Sequence, residues 1–376
     1  MNLDDKEQLI RLFPVKNHYL YFNFAADGPL PVPSKNAVIE AIEETSVEGM
    51  MAVPKQIAVY EDIRQELSIL FNSQKENFAF IKNTSEGVLL ALLALDIQPG
   101  ENYITAADAF PTTIRMMESH CKGEMRQVKI NSPIPVQDQL LDIIDTNTRA
   151  IVLDWVHFFT GKMIDLDAII QLARERNIFT VIDGIQGAGA VELQLDNSGI
   201  DFFMSGAHKW LLSPQGSGFI YVSPRVWERI PRKSFGWLGY DWLDFSDFDI
   251  TPGLREGAAV MEYGTRSYSA AVGFRESLKL FNSFGIKQIE AHNRKFKELF
   301  VDNLRSKGYE TVSPGKSGNS APIVPFKSAN PAMDSRALLN RLNEKKVKAS
   351  LRNGYIRVGF HLVNHREEVD SLIDYL

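Results

Sequence analysis

The sequence predicts an α/β protein, with a large domain on a mostly parallel sheet and a smaller α+β domain at the C-terminal end. Three observations carry this expectation. Between about residues 75 and 225, short apolar runs alternate with helical patterns, as in a sheet covered by helices on both faces. The runs are nearly continuous, as in AIVLDWV at 150–156, which suits strands buried on both sides. A long helical stretch then separates this region from a shorter segment with strand and helix patterns of its own.

In chain order, Phe78–Ile81, Tyr103–Thr105, Ala150–Val156, Phe179–Ile182, Asp201–Met204 and Gly218–Val222 read as buried strands. Val88–Leu95, Thr112–His120 and Asp165–Arg176 read as helices between them. Trp237–Thr265 is rich in Gly, Asp and aromatic residues, lacks a clean period and reads as loop. From Ser269 to Ser306 the pattern is helical, with a break near Gly285. Beyond residue 307, Ile323–Phe326 and Tyr355–Val358 are strand candidates, and an amphipathic helix begins at Arg366.

Length and composition bound the function. The 376 residues, 44% hydrophobic and 23% charged, suffice for a large and a small domain, each with a core. A net charge of −6 without a dense Lys/Arg run argues against nucleic acid as the main partner. Met1–Pro14 is polar and does not read as a signal peptide, and the longest apolar run, Val88–Leu95, is too short to span a bilayer. The single cysteine, Cys121, permits neither an internal disulfide nor a cysteine-based zinc site. A cytoplasmic protein without a membrane partner is expected.

In open α/β sheets, ligands bind beyond the carboxyl ends of the strands, so the residues there are the first candidates. Phe78–Ile81 is followed by Lys82-Asn83-Thr84-Ser85-Glu86-Gly87 and a strongly helical run. Free N–H groups and the helix dipole there favour a phosphate, although Thr84 or Ser85 also serves as an ordinary cap. Asp183 ends the next site-bearing strand, and a buried carboxylate needs a partner: a protonated ring nitrogen, an arginine or a helix N-terminus. Lys209 follows Asp201–Met204 in Ser205-Gly206-Ala207-His208-Lys209-Trp210. Desolvated there it becomes a nucleophile toward aldehydes; left in solvent it is an ordinary surface lysine. Together, a phosphate cradle, a carboxylate and a lysine are the groups that hold pyridoxal 5′-phosphate (PLP).

The chain resembles the class V aminotransferases, fold type I PLP-dependent enzymes that include cysteine desulfurases, kynureninases and isopenicillin N epimerase-like proteins. The matching stretches are FNFAADGPLP (22–31), NTSEG (83–87), DAFPT (108–112), VIDGIQGAG (181–189), SGAHKWLLSPQGSGFIYV (205–222), EYGT (262–265) and IRVGFHLVN (356–364), in family order over nearly the whole chain. The resemblance implies a seven-stranded sheet in a large domain over 21–265, a linking helix and small domain over 266–376, and an N-terminal arm over 1–20 packed on the small domain. It makes Lys209 the Schiff-base lysine and proton shuttle, Asp183 the partner of the pyridine nitrogen, and Gln186 the partner of the phenolic oxygen. Thr84, Ser85, Ser205 and His208 match the phosphate contacts. Thr265 matches a phosphate contact donated by the second subunit, which implies a homodimer with shared sites. Phe110 matches the group stacked on the ring, and Arg357 the arginine that grips the substrate carboxylate. His157 after Ala150–Val156 either faces the cofactor or is a structural histidine, Arg266 and Arg352 near the matched blocks are candidates for a second carboxylate contact, and Trp237 and Tyr240 are candidates for the substrate side or for loop packing.

Desulfurases use a cysteine ahead of the carboxylate arginine as sulfur acceptor. Asn319 to Arg357 contains no cysteine, and Cys121 lies elsewhere in the layout, which disfavours a persulfide mechanism. The expected activity is therefore aminotransferase-like or epimerase/lyase chemistry on a small amino acid. The alternatives are C–S elimination without the usual cysteine and a non-catalytic PLP-binding homologue. A dinucleotide site is disfavoured, because Gly184, Gly187 and Gly189 have the spacing Gly-x-x-Gly-x-Gly and no acidic ribose partner follows.

Overall fold

The computed structural model describes residues 3–49, 53–242, 252–314 and 320–376. Its strands are β1 (Leu20–Tyr21), β2 (Phe78–Ile81), β3 (Asn102–Ala106), β4 (Glu124–Val128), β5 (Thr148–Asp154), β6 (Phe179–Asp183), β7 (Phe202–Gly206), β8 (Gly218–Val222), β9 (Tyr309–Thr311), β10 (Ile323–Ser328), β11 (Val347–Lys348), β12 (Ser350–Arg352) and β13 (Tyr355–Gly359). Seven of them form the main sheet, in the order β2-β8-β7-β6-β5-β3-β4. Every pairing in it is parallel except the two made by β8.

The central strands β6, β7 and β8 are buried along their whole length, as FTVID, FFMSG and GFIYV require. Each fully buried Phe or Val among them contributes about 1.5–3 kcal/mol by leaving water. The edge strand β4, EMRQV, was not among the expected strands. It is largely exposed, so its residues show no apolar run to read. β5 starts earlier than expected and stops at Asp154 rather than Val156, and β7 continues to Gly206. Beyond its end, Val156 makes only an isolated bridge to Met163.

Helices Val32–Glu48 and Val53–Leu70 both pack on Tyr268–Phe284. The long helical stretch is two helices, Tyr268–Phe284 and Ile286–Ser306, hinged at Gly285 with φ +83°, a conformation glycine adopts without strain. The C-terminal part is an antiparallel sheet in the order β12-β13-β10-β9 with a core of its own around Phe300, Phe326 and Val358. The region expected as loop over Trp237–Thr265 contains, among its described residues, the 3-10 segments Trp237–Gly239 and Gly257–Met261 and an isolated bridge between Tyr240 and Leu254; 243–251 lie outside them. Near the N-terminus, β1 pairs with β11, and a buried ion pair joins Lys16 to Glu368 of the final helix. No helix among the described residues is long and apolar enough to cross a membrane.

Candidate active site

Strand ends, helix starts and two loops converge on one cavity of about 340 Å³. Asp183 is the last residue of β6, and Lys209 lies in the turn after β7, both at the carboxyl edge of the parallel strands. The loop through Ala25 and Ala26 closes over this edge. Gly28 N donates to the His208 carbonyl at 2.8 Å, and a Cβ on Gly28 would stand 2.1 Å from the Lys209 carbonyl. Glycine is thus required by contact. Behind the lysine, Trp210 is fully buried beside Phe24 and His361, which accounts for the fixed course of the turn.

Burial pushes Lys209 down to about 8, against the pull of Asp183, and Arg357 adds to the fall. Its Nζ lies 5.6 Å from the centre of the Phe110 ring. Asp183 is pushed up to about 6 by burial, opposed by a bond from Ile185 N at 2.9 Å and by Lys209. Its in-register neighbour on β5 is a second buried carboxylate, Asp154. Asp154 is pushed up further, to about 8, by burial and by Asp183. It accepts from Phe110 N at 2.9 Å and from Thr113 Oγ1 at 3.3 Å, and so fixes the start of the helix Pro111–His120.

At the other end of the cavity, Thr84 and Ser85 open the helix Thr84–Leu95, capped by Asn83, whose side chain accepts from Glu86 N. Thr84 Oγ1 also accepts from Gly206 N at 2.9 Å, which ties this helix start to the lysine turn. His208 is held below its usual value by burial and by Lys209, so it is neutral at pH 7. Gln186 donates to the Ala25 carbonyl at 3.0 Å and accepts from Trp210 Nε1 at 2.9 Å, leaving one amide N–H for another partner.

Arg357 comes from β13 of the small sheet and is 3% exposed. Its Nη1 donates to the Phe158 carbonyl at 2.6 Å, and its Nε has no partner. Burial lowers it to about 10, with Arg352 adding to the fall. A buried guanidinium without a carboxylate is costly, and this one faces a cavity that could admit an anion.

The structure thus gathers Thr84, Ser85, Phe110, Asp183, Gln186, His208, Lys209 and Arg357 around one space, with Arg352 at its edge. It does not bring Ser205 there: its hydroxyl is donated to the Gly206 carbonyl at 2.9 Å, behind the cavity wall. Thr265 is exposed and does not line the cavity of its own chain. Trp237 and Tyr240, with Arg266, line a separate cleft. Arg266 pairs with buried Glu262 and stacks on Tyr60. His157 faces away from the cavity; Nε2 donates to the Asp108 carbonyl at 3.0 Å and Nδ1 accepts from Thr160 N at 3.2 Å. It is a bonded structural histidine holding the loop that carries Phe158.

Asp154, Asn83, Thr112 and Phe158 were missed. Asp154 had the signal used for Asp183, an acid at a strand end, but AIVLDWV hides that end inside an apolar run. Phe158, packed edge-to-face on Phe110 at 5.4 Å, carries no sequence signal, because its position depends on the fold of the 157–161 loop. Cys121 is half-buried and pushed up to about 11, so its thiol is not activated.

Fold and cavity together place a lysine just beyond a strand end of an α/β sheet, with a helix start and a buried carboxylate lining the same space. The family model for aminotransferase class-V matches residues 36–372, and the chain belongs to that family. A probable cysteine desulfurase of Methanothermobacter thermautotrophicus is 25% identical over 393 residues, covering 97% of this chain and 96% of that protein. Isopenicillin N epimerase of Streptomyces clavuligerus is 24% identical, covering 94% and 93%. Among solved structures, a C-DES mutant with glycine covalently linked to its PLP cofactor superposes with a TM-score of 0.89 at 20% identity, over 97% of this chain and 98% of that one.

Proposed function

We propose that this PLP-dependent enzyme holds its cofactor at Lys209 and acts on a small amino acid, by aminotransferase-like or epimerase/lyase chemistry. The observation that carries the reading is the buried, carboxylate-free guanidinium of Arg357 facing the same cavity as a depressed lysine. When bound, PLP supplies an aldehyde for an amine and a ring that takes up electrons. The residues fit it. The Thr84–Ser85 helix start offers N–H groups and hydroxyls to a phosphate, with neutral His208 beside it. Asp183, costly to ionise alone, would be stabilised by a protonated ring nitrogen. Gln186 has a free amide N–H for the phenolic oxygen, and Phe110 offers a flat face to the ring.

In this reading Arg357 binds the substrate carboxylate, and Lys209 carries a proton to or from the substrate α-carbon. Its pKa of about 8 leaves a usable fraction of free amine near neutral pH. Thr265, exposed and away from its own cavity, completes the phosphate site of a second copy in a homodimer. The division into an arm over 1–20, a large domain over 21–265 and a small domain over 266–376 belongs to the same proposal. It is supported by the Lys16–Glu368 pair and by the pairing of β1 with β11. Without a cysteine between Asn319 and Arg357, the residues favour these reactions over transfer of sulfur to an enzyme thiol.

The test is a screen of amino acids against purified enzyme, following the absorbance of the bound cofactor and analysing products. Small amino acids with a free α-carboxylate should shift the spectrum, and decarboxylated analogues should not. If no amino acid shifts it, or the amines do so equally well, the reading fails.

A further inference from the structure

A second pocket lies against the helix Ile286–Ser306 and shares no lining residue with the Lys209 cavity. Asn293 and Lys297 stand one helical turn apart and both line it. They are 1% and 4% exposed. Lys297 Nζ donates to Ser320 Oγ and forms no ion pair among the described residues. Asn293 Nδ2 donates to the Ala190 carbonyl at 3.1 Å, but its Oδ1 has no partner. A buried ammonium with donors to spare and a buried carbonyl oxygen with no donor ask for complementary groups.

The charge of the lining decides which. Among the described residues of the lining, Glu290 and Glu298 bring carboxylates and Arg294 and Lys297 bring cations, so groups of both signs face the pocket. A bare anion would reach Lys297 past an acidic rim, and a bare cation would meet Lys297 inside. We propose that the pocket binds a small zwitterionic amino acid, its carboxylate on Lys297 and Ser320 and its ammonium on Asn293 Oδ1 and the acidic rim. The inner space is small, about 40 Å³, and suits a ligand of about the size of glycine. Burial, which pushes Lys297 down to about 8, leaves it still largely protonated at pH 7 and able to meet a carboxylate. The pocket is also joined to the 157–161 loop that borders the Lys209 cavity. Ser320 bridges to Lys162, and Ala321 N donates to the Gly161 carbonyl at 2.9 Å, in the loop that carries Phe158. The proposal does not rest on the cofactor reading.

The test is calorimetric titration of the purified full-length enzyme at pH 7 with glycine, acetate and methylammonium. A glycine-binding event should be weakened about tenfold or more in Lys297→Met and should persist in Lys209→Ala and Arg357→Ala. Acetate and methylammonium, each with half the recognition, should bind about tenfold more weakly than glycine. Melting curves check that Lys297→Met folds; if it does not, Ser320→Ala decides, with an expected weakening of about threefold. Unchanged glycine binding in the folded variants, loss of that event in Lys209→Ala, or acetate binding as tightly as glycine would overturn the proposal.

Discussion

Lys209 and Lys297 are both pushed down to about 8 by burial, yet their surroundings differ in kind. Lys209 has Asp183 within electrostatic reach, an aromatic face 5.6 Å away, a helix start across the cavity and the guanidinium of Arg357, which has no carboxylate partner among the described residues. Lys297 has a serine hydroxyl, an unpartnered amide oxygen and an acidic rim. Desolvation alone therefore does not make a cofactor lysine. On the proposed reading, groups must also be in place for a phosphate, a ring nitrogen and a second anion, and among the described residues the cavity at the carboxyl edge of the sheet brings such groups together.

The comparison is sharpened first at Arg357, where the largest effect is expected. Arg357→Ala removes the cation facing Lys209 and should raise KM for the amino acid substrate about 10- to 100-fold, with a smaller change in kcat. Steady-state kinetics on the substrate found by the screen measures this. An unchanged KM would leave the cavity without its carboxylate partner and weaken the contrast with the Lys297 pocket.

A smaller effect is expected at Asp183, and its sign is set by burial. The folded pKa of about 6 lies above the usual 3.8, so Asp183 contributes stability at low pH that is lost as pH rises through about 6. Asp154, raised to about 8 beside it, loses its share over a higher range. In the apoprotein, Asp183→Asn removes one of these charges and should raise the melting temperature at pH 8 by roughly 2–4 °C, with little gain at pH 4. The same variant should bind PLP about tenfold or more weakly. Melting curves across this pH range would contradict the assignment if the two proteins differed equally throughout.

Much of this site can be read from the sequence because its parts are local. The Ser-Gly-x-His-Lys-Trp turn, the Asp-Gly-x-Gln turn and the Thr84–Ser85 helix start each follow a strand that is apolar on both faces, so position and chemistry coincide in one short stretch. What escaped depends on distant contacts. β4 is an exposed edge, paired only with β3, and its residues show no apolar period. Asp154 is hidden inside a run whose strand ends two residues early. Phe158 is placed by the Arg357 bond and the His157 network, which no local pattern announces. Ser205 lies in the right motif, but on an inward-facing strand position with its hydroxyl already bonded.

The central claim is that the assembled cavity, and not a depressed lysine as such, selects the cofactor. The most direct measurement is borohydride reduction of the PLP-loaded enzyme, followed by mass spectrometry of its peptides. The reduced cofactor mass should appear on the peptide containing Lys209 and not on the one containing Lys297. Lys209→Ala should carry no fixed cofactor. Label on Lys297 in place of Lys209, or label spread over many lysines, would contradict the account.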